Sequence, residues 1–422
     1  MKLKLLEIIK SISNYGFAII FMRLTPFLTI PLILKNLSVE EYGKLGAVQA
    51  IVMTMVSVTT LNVGSSNFRF LRFTDNSFSK LYNRLLISSS NLIVSISILL
   101  IGALGLFFLP KEFRISGFIL ILTQSIYAYC ISLIRAQNKS KIYSFIEIGK
   151  NCIYFIILFA LVKYKLLEIV TILFAFSFCN FLFFIIILII LKKQKWANIV
   201  YSKSLIKRTL IYSLPTLVAY AIQSFLQQSP LILIHASDEE LGLINYANKI
   251  SLIIFALQSI VFLAWPYFAF KYQEEKLHQI VFKSLSILLV LLSWVIYFSF
   301  DNITLLISNE SFLTAKHISI GFICVYIISI LGNMIDTSAS IANKSYLISI
   351  VFLIGLIVGL LSYGFLPKEV LKLHPFMPLL FTFAVMILSR LVIYTRKMFF
   401  KCWDNYFLSF TMLNLLVLLL IS

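Results

Sequence analysis

The chain reads as long apolar runs separated by short polar stretches. The runs fall at roughly 11–33, 45–67, 85–109, 115–134, 142–162, 169–191, 209–234, 241–270, 283–306, 317–342, 345–366 and 376–397. A bilayer core about 30 Å thick needs about 20 apolar residues per helix. Barrel strands would instead show alternating segments of about ten residues. The pattern therefore predicts an all-α polytopic membrane protein with twelve transmembrane helices. A shorter thirteenth run, about 405–422, is an appended or a peripheral C-terminal helix.

One stretch recurs. PLILKNLSVEEYGKLGAVQAI at 31–51 returns as PLILIHASDEELGLINYANKI at 230–250, a constant offset of 199. Nine positions are identical, among them Pro31/Pro230, Ser38/Ser237, Glu41/Glu240 and Gly43/Gly242. Each copy ends one apolar run, crosses an acidic loop and starts the next. A weaker echo is Asn138-Lys139-Ser140 and Asn343-Lys344-Ser345. A repeat half the chain long implies two homologous halves. Six spans separate the copies, an even number, so the halves run parallel in topology. The expected plan is an N-lobe at 1–191, a basic linker at 192–208, a C-lobe at 209–397 and the C-terminal helix at 398–422. Two lobes with a site between them is a transporter plan.

Composition supports the membrane class. The chain is 60% hydrophobic and 13% charged, with mean hydropathy +0.97. A soluble fold could not hide that much apolar surface. The net charge of +19 is a matter of topology. With the N-terminus in the cytoplasm, the excess Lys/Arg falls in the inner loops, and the outer loops balance. The richest inner segment holds Lys192, Lys193, Lys195, Lys203, Lys207 and Arg208. No soluble basic segment exists to hold nucleic acid. The five cysteines are scattered without metal or redox spacing. No small-residue cleavage site follows the basic N-terminus, so the first helix is expected to stay. No zinc, phosphate-loop or nucleophile-elbow motif appears, so no enzyme activity and no resident cofactor are expected.

Ionisable groups inside spans are costly, about 2.5–3.5 kcal/mol each at the bilayer centre. Arg23 lies about 18 Å into the first span at 1.5 Å per residue, near the helix-disrupting Pro26. It serves function or snorkels to a headgroup. Glu147 and Lys150 share a face of span five and neutralise each other or act separately. Lys249 lies in span eight, within reach of the outer surface. Arg390 is expected to snorkel. Polar stripes run along span seven (Tyr220, Gln223, Gln227) and span ten (Asn333, Asp336, Ser340), facing other helices or water. A cavity that binds an anion would accommodate Arg23, Lys150 and Lys249, since guanidinium and ammonium groups suit phosphate oxygens.

The pieces PLILKNLSVEEYG at 31–43, RAQNKSKIYS at 135–144, SLPTL at 213–217 and EELGLINYANKI at 239–250 resemble the O-antigen repeat-unit flippases (Wzx type). These belong to the superfamily that also holds multidrug exporters and lipid II flippases. The resemblance implies two six-helix lobes working by alternating access in the bacterial inner membrane. The cargo it implies is an undecaprenyl-pyrophosphate-linked oligosaccharide, moved to the periplasmic leaflet. Arg23 and Lys249, with Lys150, would receive the pyrophosphate, and the two polar stripes would line the cavity. Glu147 or Asp336 would carry a coupling proton or sodium ion. A polysaccharide polymerase and a chain-length regulator would be partners. A multidrug antiporter of the same superfamily is the nearest rival; the first span carries Arg23 and no acid, which favours an anionic cargo. A membrane-bound O-antigen polymerase is the rival from another class, but it resembles a chain with a longer outer loop.

Overall fold

The computed structural model describes residues 28–71, 77–137, 139–193, 201–251, 253–254, 275–341, 344, 346–397 and 403–422. These residues form helices and connecting turns, without strands. The main helices are α1 (Val39–Thr59), α2 (Val63–Phe70), α3 (Ser77–Phe108), α4 (Arg114–Ala136), α5 (Ser140–Lys163), α6 (Ile169–Lys193) and α7 (Lys203–Leu233). They continue as α8 (Glu275–Ile307), α9 (Lys316–Ile341), α10 (Tyr346–Phe365), α11 (Lys368–Leu373), α12 (Met377–Lys397) and α13 (Asn405–Ile421). Residues 238–251 are also helical. Among the described residues, ten helical segments are long and apolar enough to cross a membrane, and they coincide with ten of the twelve expected spans. Most of the first span, through residue 27, and much of the eighth lie outside the described residues. The protein is an all-α, multi-pass membrane protein.

Two compact units arise: Met1–Gly46 with Ser229–Ser422, and Ala47–Gln228. In the unit Ala47–Gln228, α4 packs on α3, α5 and α6. The run expected as one span at 45–67 is broken: Leu61 and Asn62 adopt left-handed φ values of 46° and 48° between α1 and α2. Asn tolerates that conformation and Leu does not. The Asn62 amide donates to Thr216 Oγ1 of α7 at 3.1 Å, which holds the joint. Pro215, one residue before, removes a rung of the α7 ladder.

In the other unit α9 is the central element. An apolar 18-residue stretch of the span Glu310–Asp336, which covers most of α9, is 89% buried, against 22% for the like stretch of Lys141–Lys163 in the Ala47–Gln228 unit. α12 packs on α9 and α10, where Gly355 of α10 admits Met386; a Cβ there would lie 2.5 Å from the sulfur. Gly355 thus serves close packing within the bundle. α13 lies along α8 and α9. Its start is tied to α8 by Lys283–Asp404 (3.2 Å), and its end reaches Tyr297 and His317 through Ile421 O and Ser422 Oγ. The C-terminal helix is therefore part of the bundle rather than a peripheral element. Large apolar side chains such as Phe107, Leu306, Phe365 and Leu420 stay exposed, as lipid-facing surfaces require.

The two repeat copies, 31–46 and 230–245, meet inside one unit and match in detail. Ser38 and Glu41 form a capping box: the Ser38 N–H donates to Glu41 at 2.8 Å, and the Glu41 N–H to Ser38 Oγ at 3.2 Å. Ser237 and Glu240 repeat it at 2.7 and 3.2 Å. Such boxes satisfy the exposed N–H groups of a helix start. The acidic loop is thus a helix-starting device, as its place at the start of an apolar run predicts. Gly43 abuts the Asp238 carbonyl and Gly242 abuts the Val39 carbonyl. Asp238 is the repeat equivalent of Val39, so the contact is reciprocal, as across a local two-fold axis. A Cβ on either glycine would collide with backbone. Asn245 adds a hydrogen bond to the Tyr42 carbonyl at 3.0 Å.

Candidate functional site

Among the described residues, intramembrane charges form two buried clusters. In the Ala47–Gln228 unit, Glu147 and Lys150 sit one turn apart on α5, as their spacing predicts. Their charged groups are 3.5 Å apart and both residues are buried. The Lys150 ammonium lies 3.9 Å from the centre of the Tyr127 ring of α4. A ring face attracts a desolvated cation, so Lys150 is held by a carboxylate and a π-face together. In the same unit Asn180 of α6 is fully buried, and both its amide atoms lack a hydrogen-bond partner.

In the other unit, Asp336 of α9 accepts two parallel hydrogen bonds from Arg390 of α12, at 2.8 and 2.7 Å. The Tyr394 hydroxyl donates to the same carboxylate at 2.6 Å. Arg390 is 1% exposed. The expectation that Arg390 snorkels to the surface is therefore incorrect. A carboxylate within fork reach in the bundle offers a better partner than a headgroup, because the planar guanidinium matches its two oxygens. Gly332, one turn before Asp336, leaves room for the guanidinium; a Cβ there would lie 2.7 Å from Nη1.

The other expected residues disperse. Arg23 lies outside the described residues. Lys249 is half-buried on the helical segment 238–251. Tyr220 is exposed, and Gln223 and Gln227 are half-buried along α7, with Gln227 Nε2 buried and without a partner. Asn333 is half-buried one turn before Asp336. Ser340 is on the same helix. The α9 stripe thus turns towards α12 at Asp336.

The family follows from the sequence of the first two thirds of the chain. Residues 8–269, more than half of the 422, match the sequence model of a family described as polysaccharide biosynthesis protein. The chain belongs to this family. No curated protein matches the chain. Among solved structures it is similar to an inward-facing multidrug resistance MATE family transporter of the MOP superfamily. The TM-score is 0.67 at 11% identity, over 89% of this chain and 94% of that one. It is similar to the lipid II flippase MurJ in an inward closed conformation, with TM-score 0.65 and 15% identity over 96% and 97%. The MATE multidrug transporter DinF-BH gives a TM-score of 0.62 and 15% identity, over 93% and 95%. At these identities the likeness is one of fold.

Three features of this polysaccharide biosynthesis family member escape sequence reasoning. Tyr394 stands four residues after Arg390, one turn on the same face, and that spacing was the available signal. Tyr127 as the seat of Lys150 has no such signal, because it comes from another helix. The broken joint at Leu61–Asn62 is foreshadowed only by the polar, glycine-containing stretch Asn62–Ser66 inside an apolar run.

Proposed function

We propose that this protein is a flippase that moves an undecaprenyl-pyrophosphate-linked oligosaccharide repeat unit from the cytoplasmic to the periplasmic leaflet of the bacterial inner membrane. The family match over residues 8–269 carries the reading, and the fold shared with a lipid II flippase supports it. On this reading two lobes alternate access to a polar cavity, without enzymatic chemistry and without a resident cofactor. Arg23 and Lys249 receive the pyrophosphate, with Lys150 as a third cation. Tyr220, Gln223, Gln227, Asn333 and Ser340 line the path of the sugar while the lipid tail stays in the bilayer. A polysaccharide polymerase and a chain-length regulator act on the delivered product.

The two candidate coupling carboxylates are already neutralised, Glu147 by Lys150 and Asp336 by Arg390. A coupling proton or sodium ion at either site must compete with that partner. The likeness to MATE transporters favours a second reading, export of a cationic compound. An exporter of cations needs carboxylates open to its cargo, and these two are held by Lys150 and Arg390.

The test uses a host whose own flippase is deleted. Inverted and right-side-out vesicles carrying the protein or Arg23→Ala are probed with a membrane-impermeant lectin. Sugar should reach the periplasmic face with the intact protein and fall about tenfold or more with Arg23→Ala. Sugar retained inside, in a host supplying the cognate lipid-linked unit, rejects the flippase reading and directs the assay to drug efflux. Normal flipping by Arg23→Ala removes that residue from the anion site.

A further inference from the structure

At the end of α2 and the start of α7, four side chains form an alternating stack. The Arg69 guanidinium lies 4.7 Å from the Tyr212 ring centre. Tyr212 meets Phe70 edge-on at 5.5 Å and 67°. The Arg208 guanidinium lies 4.4 Å from the Phe70 ring. With Ser204, Lys207 and Ile211 these residues line an open pocket of about 390 Å³. All of them belong to the unit Ala47–Gln228.

The pocket gathers three cations and no carboxylate. Arg69, Lys207 and Arg208 are exposed, and none takes part in an ion pair among the described residues. Like charges brought together repel unless an anion sits among them. The ring faces attract the two guanidinium groups and hold their planes in place. Less side-chain freedom is then lost when a ligand binds. A planar guanidinium offers paired donors to a phosphate, which an ammonium does not. Ser204, in the first turn of α7, adds a hydroxyl where the helix dipole also favours negative charge.

Position supplies the ligand class. Arg69 follows the apolar span Val39–Asn67 by two residues, and α7 is itself a candidate span beginning at Lys203. The pocket therefore lies at the end of two membrane helices, at headgroup depth. The abundant anion at that depth is lipid phosphate. The basic run Lys192–Arg208 places this end on the cytoplasmic side by the positive-inside rule.

We propose that Arg69, Arg208, Lys207 and Ser204 form a binding site for the phosphate of a membrane lipid. A glycerophospholipid and a polyprenyl diphosphate share this chemistry, and the two guanidinium forks suit both. The site is separate from the Arg23, Lys249 and Lys150 group, and its existence does not depend on what the protein transports.

The full chain in neutral phosphatidylcholine nanodiscs is titrated with fluorescent phosphatidylglycerol, with undecaprenyl diphosphate and with inorganic pyrophosphate. Each titration is repeated with the pair Arg69→Gln, Arg208→Gln. Lipid phosphates should bind the native protein, and the paired variant should lose about tenfold or more in affinity. Preference for phosphatidylglycerol assigns the site to bulk lipid; preference for undecaprenyl diphosphate assigns it to capture of a lipid-linked substrate. Unchanged affinity in the paired variant overturns the site. Pyrophosphate binding as tightly as either lipid overturns its assignment to lipid. If the glutamine pair does not fold, Arg69→Lys with Arg208→Lys keeps the charge and removes the forks, and a smaller loss of affinity is expected. A failure of flipping leaves this binding intact, and unchanged affinity in the paired variant leaves the flippase reading standing, so the two readings fail separately.

Discussion

Asp336 shows how one residue's neighbours decide its chemistry. It is a carboxylate in an apolar span, and alone it would be expelled or protonated. Arg390 and Tyr394 supply three hydrogen bonds to it. A buried pair of this kind adds little net stability, but removing one partner strands the other. Arg390→Ala and Asp336→Ala should each lower unfolding stability by about 3–5 kcal/mol, read by thermal unfolding in detergent. The double variant with Met at 390 and Leu at 336 should recover most of that loss. Additive losses in the double variant would show that the pair does not act as a unit. If Asp336 carries a coupling ion, Asp336→Asn should abolish flipping in the vesicle assay while the protein still folds. The same reasoning applies to Glu147, whose partner Lys150 is steadied by the Tyr127 face.

At the scale of elements, the repeated helix starts are the informative feature. Two capping boxes, Ser38/Glu41 and Ser237/Glu240, begin helices that then cross at Gly43 and Gly242. The serines should be nearly equivalent: Ser38→Ala and Ser237→Ala should each cost about 1 kcal/mol. The glycines should be far less tolerant, because a methyl group at either meets a backbone carbonyl that no rotamer change can move. Gly43→Ala and Gly242→Ala should sharply reduce the folded yield by size-exclusion chromatography. Native yield from both would mean that the helices can separate at this crossing. α13 is an element of a different kind. Asp404 caps it through the Tyr406 and Phe407 N–H groups and pairs with Lys283, so the appended helix is anchored at its first turn.

At the scale of the whole molecule, stability should depend on acid through the surface carboxylates. Burial opposes ionisation of Glu240, but the Ser237 N–H and Lys372 outweigh it and hold its pKa below the usual carboxylate range. Burial likewise opposes ionisation of Asp404, and the Phe407 N–H and Lys283 outweigh it. For an acid whose folded pKa is depressed, the stabilisation is complete above the unfolded value and vanishes as pH falls through the folded one. Thermal stability should therefore be flat from neutrality to about pH 5 and fall below about pH 4. Glu240→Gln should be less stable at neutral pH and show a shallower acid fall. An unchanged acid profile in Glu240→Gln together with Asp404→Asn would assign the acid sensitivity elsewhere.

Membrane class, most of the helices and the repeat were legible in the sequence, because each depends on local properties. Twenty apolar residues must form a helix in lipid, since no water is there to satisfy the backbone. The paired Ser and Glu of each copy stand three residues apart, the spacing of a capping box. The pairing of Glu147 with Lys150 was equally local, one turn apart on one helix. What the tertiary structure alone decided involves residues far apart in the chain. Arg390 meets Asp336 across 54 positions, so its charge turns into the bundle instead of outward. Gly43 and Gly242 were visible as a repeated pair, but not as surfaces that touch. Arg69 and Arg208 counted in the sequence only towards an inner-loop excess. The fold brings them to one pocket through Phe70 and Tyr212, because side-chain contacts across helices depend on packing, which hydropathy does not encode.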